Sequence, residues 1–128
     1  VTPDELAERL EAAAKRVGPA VQRGVTHTGT LGIAKIRGNA SGRPGPNVIT
    51  GAYRNSWKSV DRRWVNSALC TIGTELPYGR RLEFGFTGTD SLGRSYAQPP
   101  FAHVQPALPF IEQTLKMQMK FAVMEVLQ

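Results

Sequence analysis

TGAYRNSWKSVDRRWVNSALCTIGTELPYGRRLEFGF, residues 50–86, decides how the chain folds. Thr50 stands where a helix cap belongs, and Tyr53 and Trp57, four apart, share one face of a short helix over 51–57. That aromatic pair reads as a core anchor rather than a binding platform. Residues 59–65 follow, with Val60 and Trp64 bracketing charged positions. Asn66-Ser67 supply a turn, and residues 68–73 form a second run, so an antiparallel hairpin is expected. In the second run Leu69, Thr71 and Gly73 point one way and Ala68, Cys70 and Ile72 the other. The same alternation sends Arg62 and Arg63 to opposite faces of their strand. Pro77 opens a helical turn over 78–84, in which Tyr78 and Leu82 are four apart. Gly85 is placed to end it as a left-handed cap residue.

Outward from this stretch lie two longer helical patterns. Thr2-Pro3-Asp4-Glu5 is a strong helix start: a capping hydroxyl, proline at the first helical position, and acids at the positive end of the dipole. Leu6, Leu10, Ala13 or Ala14, Val17 and Val21 continue it as one apolar stripe. Gly18-Pro19 interrupts the stripe, and a kink or break is expected there because Pro19 lacks the N–H and clashes one turn back. Residues 27–37 read either as a continuation of the helix or as an extended arm. The segment GNASGRPGPN, 38–47, is a loop. Residues 86–104 form a second long irregular segment, with Ser91-Leu92-Gly93-Arg94 as the tip of a possible hairpin. The last helix covers 106–128, with Ile111, Leu115 and Met119 on one face. Met117, Val123, Met124 and Leu127 widen its apolar surface, which fits burial against a neighbouring subunit or a deep position in the core.

The expected fold class is α+β: a small antiparallel β-sheet packed against N-terminal and C-terminal helices, with two long loop arms at about 38–49 and 86–104. All of it belongs to a single domain, 1–128. The expected core is Leu6, Leu10, Tyr53, Trp57, Val60, Ile72, Tyr78, Leu82, Ile111 and Leu115.

With 128 residues the chain can bury a core, although at this size a partner subunit often completes it. No window approaches the roughly 18 apolar residues of a membrane span, and the acidic, Ala-rich N-terminus does not read as a secretory signal. No membrane partner is expected. Cys70 is the lone thiol and reads as a small buried hydrophobe, which suits a reducing cytosol. The histidines, His27 and His103, lack metal-ligand spacing. No nucleophile elbow or phosphate-cradling loop is present, so no catalytic residue, cofactor or metal is assigned. Glu83, between Leu82 and Phe84, would have a raised pKa if buried, but an ion pair with Arg80 is the preferred reading. The net charge of +6 concentrates in the middle of the chain. It suits nucleic acid, an acidic protein surface, or plain solvation. The residues assigned to interfaces are Arg43, Arg94 and Tyr96 in the arms, and Arg62, Arg63, Arg80 and Arg81 as electrostatic contacts.

Five short motifs, in order, carry a resemblance. Thr50-Gly51-Ala52-Tyr53-Arg54-Asn55-Ser56, Thr71-Ile72-Gly73-Thr74, Pro77-Tyr78-Gly79, Leu82-Glu83-Phe84-Gly85 and Gln105-Pro106-Ala107 resemble the tail-completion family of long-tailed bacteriophages, a "gp ten-like" tail-component family. That family shows a T-G-x-L-R-x-S start, a strand ending in V-G-T, a P-Y-A-x-x-x-E-x-G segment and a last helix opened by P-A-L. Here Tyr53 replaces the usual Leu, Gly79 the usual Ala, and Phe84 precedes the glycine. The resemblance spans about residues 50–115. It implies a structural protein of the virion neck: a tail-terminator or tail-completion subunit in a homo-oligomeric ring, commonly of six, at the head-proximal end of the tail tube. Its partners would be neighbouring neck and tail-tube proteins, with passing contact to DNA in the channel. The family offers no catalytic residues to carry over. A stopper, adaptor or minor tail component is the neighbouring possibility, and a nucleic-acid-binding module using the central basic residues is the alternative from a different class.

Overall fold

The computed structural model describes residues 1–128 except Ile49, Asp90 and Gln128, and of Tyr96 the backbone alone. The first helix, α1, spans Pro3–Asn39. It begins as its sequence dictates. Glu5 N donates to Thr2 Oγ1 at 3.1 Å and Thr2 N donates to Glu5 Oε2 at 3.2 Å, a reciprocal capping box. At about 1.5 Å per residue its 37 residues reach roughly 55 Å.

The expected break at Gly18-Pro19 does not occur, and 27–37 continue the helix. Proline inside a helix costs about 3 kcal/mol, and tertiary packing on both sides of Pro19 offsets that. Ala13 and Ala20 are buried against Ala122 and Val126. Gly18 lies so close under the Val65 carbonyl that a Cβ would collide with it, and Gln22 Nε2 donates to the Trp64 carbonyl at 2.6 Å. The glycines that lowered helix propensity at 29 and 32 serve the same end. A Cβ at Gly29 would meet Cys70 Sγ at 2.5 Å, and one at Gly32 would meet Ile72 and Ile111 at 3.1 Å.

After α1 come α2 (Ala52–Asn55), strands β1 (Lys58–Arg63) and β2 (Ala68–Gly73), α3 (Gly79–Phe84), and strands β3 (Phe86–Thr89) and β4 (Ser95–Gln98). A 3-10 turn (Gln105–Ala107) then leads into α4 (Leu108–Leu127). The class is α+β, as the patterning predicts. The β part is two separate antiparallel hairpins, β1–β2 and β3–β4, rather than one sheet. The pairs Asp61↔Cys70 and Ser59↔Ile72 lie on the face toward α1. Gly85 ends α3 at φ +82°, a conformation that suits glycine.

Helix α4 packs antiparallel along α1, and Arg16 Nη2 donates to the Val126 carbonyl at 2.9 Å near its C-terminus. Two clusters result. One joins Ala13, Ala20, Ala122 and Val126; the other joins Ile36, Trp57 and Ala107, with Ile33, Tyr53, Ile72, Val104 and Ile111 packed around it. The expected core is therefore right at Trp57, Tyr53, Ile72, Leu82 and Ile111, and wrong at Leu6, Leu10, Val60, Tyr78 and Leu115, which are exposed. Leu6 and Leu10 lie in the first turns of α1, where Leu10 lines an open groove with Leu127. Val60 lies on the outward face of β1, whose other face meets α1.

Candidate functional site

The last helical segment opens on Phe101-Ala102-His103-Val104-Gln105-Pro106-Ala107, which contains no Ser, Thr, Asp or Asn to cap it. Its first N–H groups must find an acceptor elsewhere. Glu83, at the end of α3, supplies it. Its Oε2 accepts from His103 N at 2.8 Å and Val104 N at 3.0 Å, and Oε1 accepts from Gln105 N at 2.8 Å. Burial by itself would raise the Glu83 pKa. The three backbone N–H bonds, with the nearby His103 ring, outweigh it and hold the carboxyl below its ordinary 4.5. Neither the raised pKa nor the ion pair with Arg80 is found: Glu83 is committed to backbone twenty residues away, and Arg80 is exposed.

His103 is fully buried at the same point. Its Nδ1 lies 2.9 Å from the Phe101 carbonyl and 3.0 Å from Glu83 Oε2, and its Nε2 lies 2.5 Å from the Tyr53 hydroxyl. One tautomer satisfies all of these: Nδ1–H donates and Nε2 accepts from Tyr53. The Tyr53 pKa is pushed up to about 12, first by burial. Trp57 packs edge-on against both Tyr53 and His103 at 6.2 and 5.7 Å between ring centres. Asn39 Nδ2 donates to the His103 carbonyl at 3.0 Å and Arg37 Nη2 to the Trp57 carbonyl at 2.8 Å, tying the hub to the end of α1. Chemically, every polar group of Glu83, His103 and Tyr53 is engaged inside the fold.

Above the hub is an open cavity of about 660 Å³. Tyr53, Tyr78, Leu82 and Phe101 form its apolar wall, Arg43 and Arg54 flank it, and among the described residues no acidic side chain lines it. The Arg43 guanidinium stacks 3.8 Å from the centre of the Phe101 ring, while its Nη1 donates to the Gly45 carbonyl. The first arm is thus folded back on the hub, with Gly45 and Pro46 buried. The second arm is a hairpin whose return leads to His103.

The assigned interface residues do not form one patch. Among those whose side chains are described, only Arg43 lines the cavity. Arg54, its partner at the rim, went unassigned, because a charge next to a short helix carries no signal of what faces it. Arg62 is exposed on the outward face of β1. Arg63, on the inward face, donates to Thr26 Oγ1 at 2.8 Å, and that hydroxyl donates to Asp61 at 3.0 Å. Arg80 and Arg81 are exposed on α3, and Arg81 stacks over Phe86 at 3.9 Å. Arg94 is exposed in the β3–β4 turn. The Tyr96 side chain lies outside the described residues, as does Asp90.

Trp64, just past β1, is 53% exposed. It follows Arg62 on the same outward side of the hairpin, where Val60 and Leu69 are also exposed. Among the described residues no group of three or more His, Cys, Asp or Glu side chains could hold a metal ion. Nor, among the described residues, is any helix long and apolar enough to cross a membrane. Comparison of the chain with known protein families, curated proteins and solved structures finds no match.

Proposed function

We propose that this chain is a non-catalytic building block that assembles beside copies of itself, as a tail-completion or tail-terminator ring subunit in the neck of a long-tailed phage virion. The observation that carries self-assembly is the imbalance of apolar surface. Among the described residues, five of the eight buried hydrophobics are alanines: Ala13, Ala20, Ala40, Ala107 and Ala122. Leucines, phenylalanines, methionines and valines meanwhile lie exposed along α1 and α4. The contiguous apolar groove lined by Leu10, Val17, Val123 and Leu127 marks an interaction face. The virion placement rests on the ordered motifs from Thr50 to Ala107. The engaged hub, which caps a helix, supports a structural role for those motif residues. The test combines the mass of the purified chain in solution with imaging of intact virions or tails carrying it. A ring of this chain at the head-proximal end of the tail is the expected result, and a chain that stays monomeric and binds no tail rejects the reading.

One observation favours a second reading, contact with nucleic acid. Trp64 is exposed beside Arg62, with Lys58 farther along the same face. A stacking ring interleaved with cations is what single-stranded nucleic acid requires. That reading predicts DNA binding that falls steeply with salt and weakens in Trp64→Ala. Absence of binding at low salt removes it.

A further inference from the structure

The cavity above the hub calls for an occupant that is both acidic and apolar. Tyr53, Tyr78, Leu82 and Phe101 offer apolar surface, and Tyr78 is 43% exposed there. The two cations, Arg43 and Arg54, pair with no carboxylate among the described residues. Stacked on Phe101, Arg43 spends one N–H on the Gly45 carbonyl and keeps its other donors for an acceptor from outside.

A surface of that kind lies at the other end of α1. Asp4, Glu5, Glu8 and Glu11, four of the ten acidic residues of a chain whose net charge is +6, fall within the first eleven positions, opposed there only by Arg9. At about 100° per residue, Pro3, Leu6, Ala7 and Leu10 make one apolar stripe, and Asp4, Glu8 and Glu11 run along its edge. All seven are exposed, Leu6 by 51% and Leu10 by 58%. The three edge acids make no ion pair among the described residues. The cavity begins at Ala40, just past the end of α1, so the unbroken helix holds the two surfaces roughly 55 Å apart. No motion of one chain unites them, whereas a second copy can.

We propose that the acidic start of α1 in one copy seats in the arginine-flanked cavity of the next. Leu6 and Leu10 turn toward the aromatic wall, and Asp4, Glu8 and Glu11 toward Arg43 and Arg54. Two unlike surfaces meet, so the contact is head to tail: repeated, it closes as a ring around an opening or grows as a filament. This rests on the self-assembly part of the function proposed above, to which it adds the two surfaces and their direction.

Charge reversal tests the pairing. One full-length variant carries Arg43→Glu with Arg54→Glu, the other Glu8→Lys with Glu11→Lys. None of the four side chains is buried, so circular dichroism should show unchanged helix in both. In sedimentation each variant alone should associate at least about tenfold more weakly than wild type, because like charges then face each other. Mixed in equal amounts, the two should recover wild-type assembly. The reversed cavity then takes the reversed helix start, and the unaltered cavity takes the unaltered start. Arg54→Glu alone repeats the test without disturbing the Arg43–Phe101 stack, and should also weaken association. Wild-type association in either double variant overturns the contact, as do weakened variants that fail to rescue each other, and both results leave self-assembly standing. A wild-type chain that stays monomeric at every concentration defeats self-assembly and this contact together.

Discussion

The two ends of the α1–α4 pair are built differently. At the Ile36 end, Trp57, Tyr53 and His103 interlock around a carboxylate that satisfies three backbone donors, and segments from α1, α2, α3 and the second arm converge there. At the Ala13 end, alanines and one valine make the contact. Leu10, Val17, Val123 and Leu127 line an open apolar groove beside them. One end is closed by directional bonds and large side chains. The other is closed by small side chains, with the Arg16 bond to the Val126 carbonyl and the Arg23–Glu125 ion pair at its surface, and buries little apolar area per residue. A chain organised this way holds its shape from one end and presents the other for association.

Unequal responses to substitution would follow. Trp57→Ala should be the most damaging change, at roughly 3–5 kcal/mol by urea unfolding, because it empties the centre of the closed end. A near-neutral result would mean that the closed end does not hold the fold. Glu83→Gln should cost about 2 kcal/mol, since the amide keeps the shape but replaces a charged acceptor with a neutral one. The same variant should flatten the acid response. The Glu83 carboxyl is held below 4.5 in the fold, so on acidification the unfolded chain takes up its proton first. Its contribution is therefore present above pH 4.5 and is lost as pH falls through the lower folded value. Urea midpoints of both proteins between pH 6 and pH 3 measure the difference.

Tyr53→Phe should cost about 1 kcal/mol through the lost bond to His103. It should also abolish a loss of stability in wild type between pH 10 and about 12, where the unfolded tyrosine ionises while the folded one keeps its proton. The smallest effect belongs to the open end. Leu10→Ser should change single-chain stability by no more than about 0.5 kcal/mol, and a cost comparable to that of Trp57→Ala would show that the open end is core after all.

Much of the local structure was legible in the chain. The capping box at Thr2, the β1–β2 hairpin with its alternation, and the helical turn ended by Gly85 follow from patterns a few residues long. The hub was not legible. Glu83 and His103 are twenty residues apart, and the sign of the Glu83 pKa shift depends on which backbone groups surround it. The available hint was negative: a helix preceded by no local cap must borrow one. Pro19 misled for a related reason, because propensity registers the cost of proline but not the packing across Gly18 and Ala20 that outweighs it. Val60 misled because period two identifies two faces of a strand without saying which is covered.

By itself, then, the sequence determined the element types and order, the α+β class, and the presence of more apolar surface on the last helix than one neighbour could use. Those are properties of short-range sterics and periodicity, which act within a few residues. Only the tertiary structure decided that α1 runs unbroken, that Glu83 caps a remote helix, and which faces of the hairpin and of α4 are left uncovered. These depend on what lies opposite each residue in space, and the free energy of a contact, a buried charge or an exposed ring is set there.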